Sequence, residues 1–229
     1  MAGFPARRCR HAAAMRIVLG IGNPGREYER TRHNIGFLVI DELARRHDVG
    51  AWQNKWKSDV ADWRLPPVLG GDRALLIKPR TYVNLSGEAA QAALAFHKAL
   101  PADLLVVVDD INLPLGTLRL RDAGSAGGHN GLRDIEARLG QAYPRLRVGV
   151  GAPKSGADQV GHVLGGFAPD EQADAEAAVR KAADCVEAWI RDGVTVACSF
   201  NGPLRPPPPR PKPVRPAPPP ELPPEPPAA

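Results

Sequence analysis

Four short clusters in this 229-residue chain carry side chains able to do chemistry: Asn23-Pro24-Gly25 with His33, Tyr82-Val83-Asn84, Asp109-Asp110, and Gly127-Gly128-His129-Asn130. Each sits where a strand is read to end, and sites in α/β sheets form beyond the carboxyl ends of strands. A histidine backed by an aspartate is a general base, because the carboxylate fixes the tautomer and stabilises the imidazolium. Asn23, Asn84 and Asn130 add neutral amide donors, which suit an oxyanion and the backbone of a peptide-like substrate. Singly, each has a structural reading, since Asn and Gly serve turns and Asp caps helices. Their recurrence at strand ends points to a shared site.

Other chemistries fail on their motifs. Gly20, Gly22 and Gly25 spell G-x-G-x-x-G, but Pro24-Gly25 opens a turn where a dinucleotide site needs a helix N-terminus. Gly151-Ala152-Pro153-Lys154-Ser155 lacks the Walker A spacing. No G-x-S-x-G elbow frames Ser86 or Ser125. There is no H-E-x-x-H, and the six histidines do not cluster along the chain, so no metal or cofactor is expected. Water activated against an already reactive carbonyl, such as an ester, is the reaction class that remains.

The elements that must position these groups alternate between strand and helix. Ile17 to Gly20 reads as a buried strand, and Asn34 to His47 shows helical spacing. The stretch 52–63 reads as loop then strand. Ala74 to Ile77 is a strand stopped at Lys78-Pro79. A helix follows to about Ala99, with Ser86 as its N-cap. Leu104 to Val108, five aliphatic residues in a row, predicts a central strand buried on both faces. A strand at 118–121, a glycine turn at 124–130, a helix at 132–139 and a strand at 146–150 follow. An amphipathic helix spans 168–190, with Pro169 in its first turn. The pattern predicts a single three-layer αβα domain with a mixed, mostly parallel central sheet.

Charge is segregated. The net charge of +5 resides entirely in the ends: residues 1–14 contribute +3 and 203–229 contribute +2, so 15–202 is neutral. Within that core, 170–192 is acidic and 15–169 carries about +4, so nucleic-acid binding requires a local basic patch. Arg119 and Arg121 share one face of a strand and could grip phosphate, or form a solvated face. Arg133, Arg147 and Lys154 are further basic residues near the clusters. Three cysteines without metal or redox spacing suggest a reducing compartment. No apolar run approaches the ~20 residues needed to span a membrane. Residues 1–14 read as a disordered extension ahead of Met15, with an organellar transit peptide as the alternative. Fifteen of the 25 prolines fall in 203–229, which predicts a disordered, polyproline-type tail open to an unidentified partner.

The ordered motifs GIGNPGREYERTRHNIG at 20–36, KPRTYVNLSG at 78–87, VVVDDINLPLG at 106–116, GSAGGHNGL at 124–132 and RLRVGVGAP at 145–153 resemble bacterial peptidyl-tRNA hydrolase. The resemblance covers about Met15 to Gly202. It implies a cytoplasmic, monomeric, metal- and cofactor-free enzyme that cleaves the ester joining peptide to tRNA and recycles tRNA from stalled translation. It further implies that His33 is the base, that Asp109 orients it, and that Asn23 helps distinguish N-blocked from free aminoacyl-tRNA. By the same resemblance, Tyr28, Tyr82, Asn84 and Asn130 contact substrate, Arg119 and Arg121 lie near the tRNA phosphates, and Arg133 and Lys154 are weaker tRNA contacts. Val83 stands where the family commonly has methionine, and Asn112 where it frequently has an acid. A non-catalytic RNA-binding protein of the same fold is the alternative, and the intact His33, Asp109 and Asn23 set argues against it.

Overall fold

The computed structural model describes residues 15–153 and 158–204; the predicted N-terminal extension, most of the proline-rich tail and Lys154 lie outside them. Seven strands form one sheet in the order β2-β3-β4-β1-β5-β7-β6. They are β1 (Arg16–Gly20), β2 (Trp52–Lys55), β3 (Ser58–Arg64), β4 (Arg73–Pro79), β5 (Leu104–Asp110), β6 (Leu118–Arg121) and β7 (Arg145–Gly149). β4, β1, β5 and β7 form a parallel centre. Antiparallel pairings place β3 and β2 at one edge and β6 at the other. The helices are α1 (Ile35–Arg46), α2 (Ser86–His97), α3 (Asn130–Leu139), α4 (Gln159–Leu164), α5 (Gln172–Asp192) and α6 (Val194–Ala197).

Two apolar clusters cover the two sheet faces. Val18, Leu105, Val107, Leu146 and Val148 pack with α1 and α5. Ile17, Leu19, Val106, Val108 and their neighbours pack with α2 and α3. Alternation along a strand therefore serves both layers, which is why β5 is buried at every residue. The mixed three-layer arrangement is the one the alternating pattern predicts.

Local details differ from the sequence reading. Residues 52–64 form a hairpin, not loop then strand. β4 continues to Pro79, opposite Ser58 of β3, because past Ile77 the β1 side needs no further donor. Ser86 is not the N-cap of α2: it is the first helical residue, buried, and its hydroxyl donates to Val83 O. Asp134 of α3 instead accepts from Gly87 N–H, so one helix caps the other. α5 begins at Gln172, after a turn in which Glu171 accepts from Ala168 N–H. The short helix α4 has no periodic signal in the sequence.

A close backbone approach sets the position of α1. A Cβ on Gly20 would overlap the Gly36 carbonyl, and a Cβ on Gly36 would overlap Ile21 and Val107 backbone atoms. The first turn of α1 thus lies directly on the β1–β5 seam. Gly20 serves this close approach.

Candidate active site

Asp109 lies at the end of β5 on the α1 side, 2% exposed. Two imidazoles reach one of its oxygens from opposite layers. His33, in the short turn Arg32–Asn34 before α1, places Nδ1 2.8 Å from Oδ1. His129, the N-cap of α3, places Nε2 3.1 Å from the same atom. The ring centroids are 5.1 Å apart. An ionised carboxylate only accepts, so both nitrogens donate.

The second nitrogens differ. Leu132 N–H donates to His129 Nδ1 at 3.3 Å, so that nitrogen carries no proton and its lone pair is occupied. His33 donates through Nδ1, which leaves the Nε2 lone pair free as a base. Burial alone would push the Asp109 carboxyl up. The hydrogen bonds from His129 and His33, and the positive charge either ring carries when protonated, outweigh it and hold the group well below the usual carboxylate range.

Two of the six histidines, His33 and His129, are far apart along the chain but meet in space. Their donor atoms and that of Asp109 lie within 4.8 Å of one another. Sequence separation hid this, because His129 reaches Asp109 from the loop before α3.

Each turn is anchored by arginine. Arg32, 7% exposed, donates to Val150 O at 3.1 Å and Glu171 Oε2 at 2.6 Å, lies over the Phe167 ring, and its N–H reaches Gly165 O. His33 is therefore fastened at both neighbours, since Asn34 Oδ1 and Nδ2 clamp the backbone N–H and C=O of Asn23 at 2.8 and 2.9 Å. On the other side, Arg145 and Arg147, two residues apart on β7, hold the carbonyls of Gly124, Ser125 and Ala126. Arg147 also pairs with Asp110 and Arg145 with Glu136. The turn continues through Gly127 and Gly128, both at positive φ (59° and 88°), which a side chain would strain.

Asn23 Oδ1 accepts from Val83 N–H at 3.1 Å. This fixes the amide orientation and leaves its Nδ2 hydrogens as donors beside the crevice. That crevice, about 440 Å³, is lined by Asn23, His33, Asp109, His129, Asn130 and Arg147, with an apolar wall from Ile111 and α4.

The structure thus gathers His33, Asp109, Asn23 and Asn130 at one place. Tyr28 is half-buried in the turn Arg26–Tyr28, and Tyr82 and Asn84 are exposed on the turn before α2; none of the three lines the crevice. Arg119 and Arg121 are exposed on the edge strand β6, Arg119 in register with Arg147. Arg133 is exposed on α3 and donates to Asn130 Oδ1. Sequence reasoning assigns no role to His129, Arg32 or Asn34. His129 lies within one of the four clusters, whereas nothing in a local pattern marks Arg32, whose partners are more than 100 residues away.

The peptidyl-tRNA hydrolase family profile matches residues 17–205. The chain belongs to the peptidyl-tRNA hydrolase family. It is similar to the peptidyl-tRNA hydrolase of Synechococcus sp. (strain JA-3-3Ab), 48% identical over 193 residues, 83% of this chain and 84% of that protein. It is similar to that of Chloroflexus aurantiacus, 45% identical over 83% of this chain and all of that protein. Its fold matches the crystal structure of Acinetobacter baumannii peptidyl-tRNA hydrolase with TM-score 0.77 and 32% identity, over 85% of this chain and 99% of that one. Among the described residues no helix is long and apolar enough to cross a membrane.

Proposed function

We propose that this chain hydrolyses the ester between a peptide and the ribose of tRNA, with His33 as general base. The observation that carries the reading is the 2.8 Å His33–Asp109 contact, which leaves Nε2 open at a crevice in the frame of this family. Nε2 takes a proton from water as the oxygen attacks the ester carbonyl. Asp109 stabilises the imidazolium through Nδ1–H without becoming protonated. The tetrahedral intermediate expels the ribose oxygen, which receives the proton from His33, and peptide acid and free tRNA leave.

Asn23 supplies discrimination. Its Nδ2 donors meet an amide carbonyl when the substrate is N-blocked. A free aminoacyl group presents an ammonium there, so donor would face donor. His129 acts as a positioning residue: it donates to Asp109 and has no free nitrogen for water. The exposed arginines of β6 and α3 supply the tRNA side, Arg119, Arg121 and Arg133 making no ion pair among the described residues. Hydrolysis of N-acetyl-aminoacyl-tRNA by the wild type and by His33→Ala tests the reading. A fall of about 10²–10⁴-fold is expected, and unchanged turnover rejects it. A non-catalytic RNA-binding role predicts no hydrolysis by the wild type.

A further inference from the structure

Three cavities in the described residues share lining residues in sequence. The catalytic crevice shares Asn23 with a second cavity of about 470 Å³. That cavity shares Arg30, Leu38 and Asp41 with a third, about 850 Å³, between α1 and α5. The second runs past Pro24 and Phe37 toward Pro79; the third has Leu38, Phe167, Ala175 and Val179 in its wall. Phe37 and Leu38 are half-buried and belong to neither core cluster, so α1 presents apolar side chains that the fold itself covers only in part.

The charges of this track cancel. The second cavity is lined by Glu29, Asp41 and Asp59 against Arg30, Lys78 and Arg80. The third has Asp41, Glu42 and Glu176 against Arg30, Arg45 and Arg180. Several are mutually paired: Lys78 with Asp41, Arg45 with Glu42, Arg180 with Glu176. A phosphodiester chain needs uncompensated cations, and those lie on the opposite side of the crevice, on β6 and α3. A neutral groove with apolar patches and paired charges suits a polypeptide of variable sequence.

We infer that the peptide arm of the substrate leaves the crevice over Asn23 and lies in the groove along α1 toward α5, while the tRNA arm leaves past α3 and β6. This rests on the hydrolase reading above. The occupant is the peptide of the substrate itself, argued from the groove adjoining the crevice at Asn23 and from the charge division. At about 3.3 Å per extended residue, the first residue remains at Asn23 and only longer peptides reach Leu38 and Val179.

The test uses one tRNA carrying an N-acetylated single residue, or peptides of about three and about six residues. Wild-type kcat/KM is expected to rise about fivefold or more with length, through KM, as apolar surface is covered. Leu38→Arg and Val179→Arg should flatten that rise and leave the single-residue substrate unchanged. A flat wild-type profile, or a rise that survives both substitutions, overturns the inference. If a variant fails to fold, a benzophenone side chain four to six residues from the ester settles the route in the wild type. Cross-links to α1 and α5 support it; cross-links only to α3 or α4, or cross-links to α1 and α5 from a photoreactive group on the acceptor stem, overturn it. Absence of hydrolysis of the single-residue substrate defeats the hydrolase reading itself, whereas a flat length profile with intact hydrolysis defeats only the peptide route.

Discussion

The turn before α1 and the turn before α3 bring a histidine to the same oxygen of Asp109, and they are built in opposite ways. The first is tight and buried. Gly20 and Gly36 let α1 sit on the β1–β5 seam, and Arg32 ties the turn to the segments after β7. The second is a glycine loop held from outside by Arg145 and Arg147. The difference sets the function of each ring. His33 keeps a free nitrogen at the crevice. His129 has its second nitrogen capped by Leu132 N–H. Two identical side chains on one carboxylate are therefore not interchangeable, because a base needs an unoccupied lone pair.

Substitutions can break this comparison, beginning with the largest effect. His33→Ala removes the proposed base and should lower kcat by about 10²–10⁴-fold, with binding of N-acetyl-aminoacyl-tRNA retained. Asp109→Asn keeps the shape and removes the charge shared by both rings. It should lower kcat about 10²–10³-fold, measured by single-turnover hydrolysis of N-acetyl-aminoacyl-tRNA.

The same carboxylate makes a stability prediction with a definite sign. Its folded-state pKa is depressed, so its contribution is present above the unfolded value of about 3.9 and is lost as pH falls below it. Denaturant unfolding of wild type against Asp109→Asn should therefore show a gap at neutral pH that narrows below about pH 4. A gap independent of pH would mean that the charge does not contribute.

Gly36→Ala attacks the first turn alone. A methyl driven into backbone atoms must lift α1, at a cost of about 1–3 kcal/mol or more. It should also lengthen the His33–Asp109 contact and lower kcat in the surviving folded protein; thermal unfolding and single-turnover kinetics check the two effects. His129→Ala is the smallest. Asp109 keeps its His33 contact, so kcat should fall only about tenfold, of the order of one lost charge-assisted hydrogen bond. A loss as large as that of His33→Ala would make the two rings equal partners and refute the contrast.

Much of the fold and half of the site are legible in the sequence, for local reasons. The aliphatic run at 104–108, short and rich in β-branched residues, reads as a strand buried on both faces, and it delivers Asp109 to the carboxyl end of the sheet. His33 and Asn23 flank a proline-glycine turn after a strand, so their place beyond that end is also local. The mixed three-layer arrangement follows from the alternation of periodicities. The cap of α2 is not legible, because a local pattern shows only Ser86 within the segment, whereas Asp134 supplies the acceptor from 47 residues away.

The sequence by itself determined which residue types stand at the strand ends, and with them the class of chemistry. Only the tertiary structure decided which groups share a proton network. His129, Arg32 and Asn34 acquire their roles from partners brought together by packing, and Asp109 becomes a strongly held anion only when two layers close over it. Hydrogen bonds and charge interactions depend on distances of a few ångströms, and those distances are set by the close approach at Gly20 and Gly36, not by spacing along the chain.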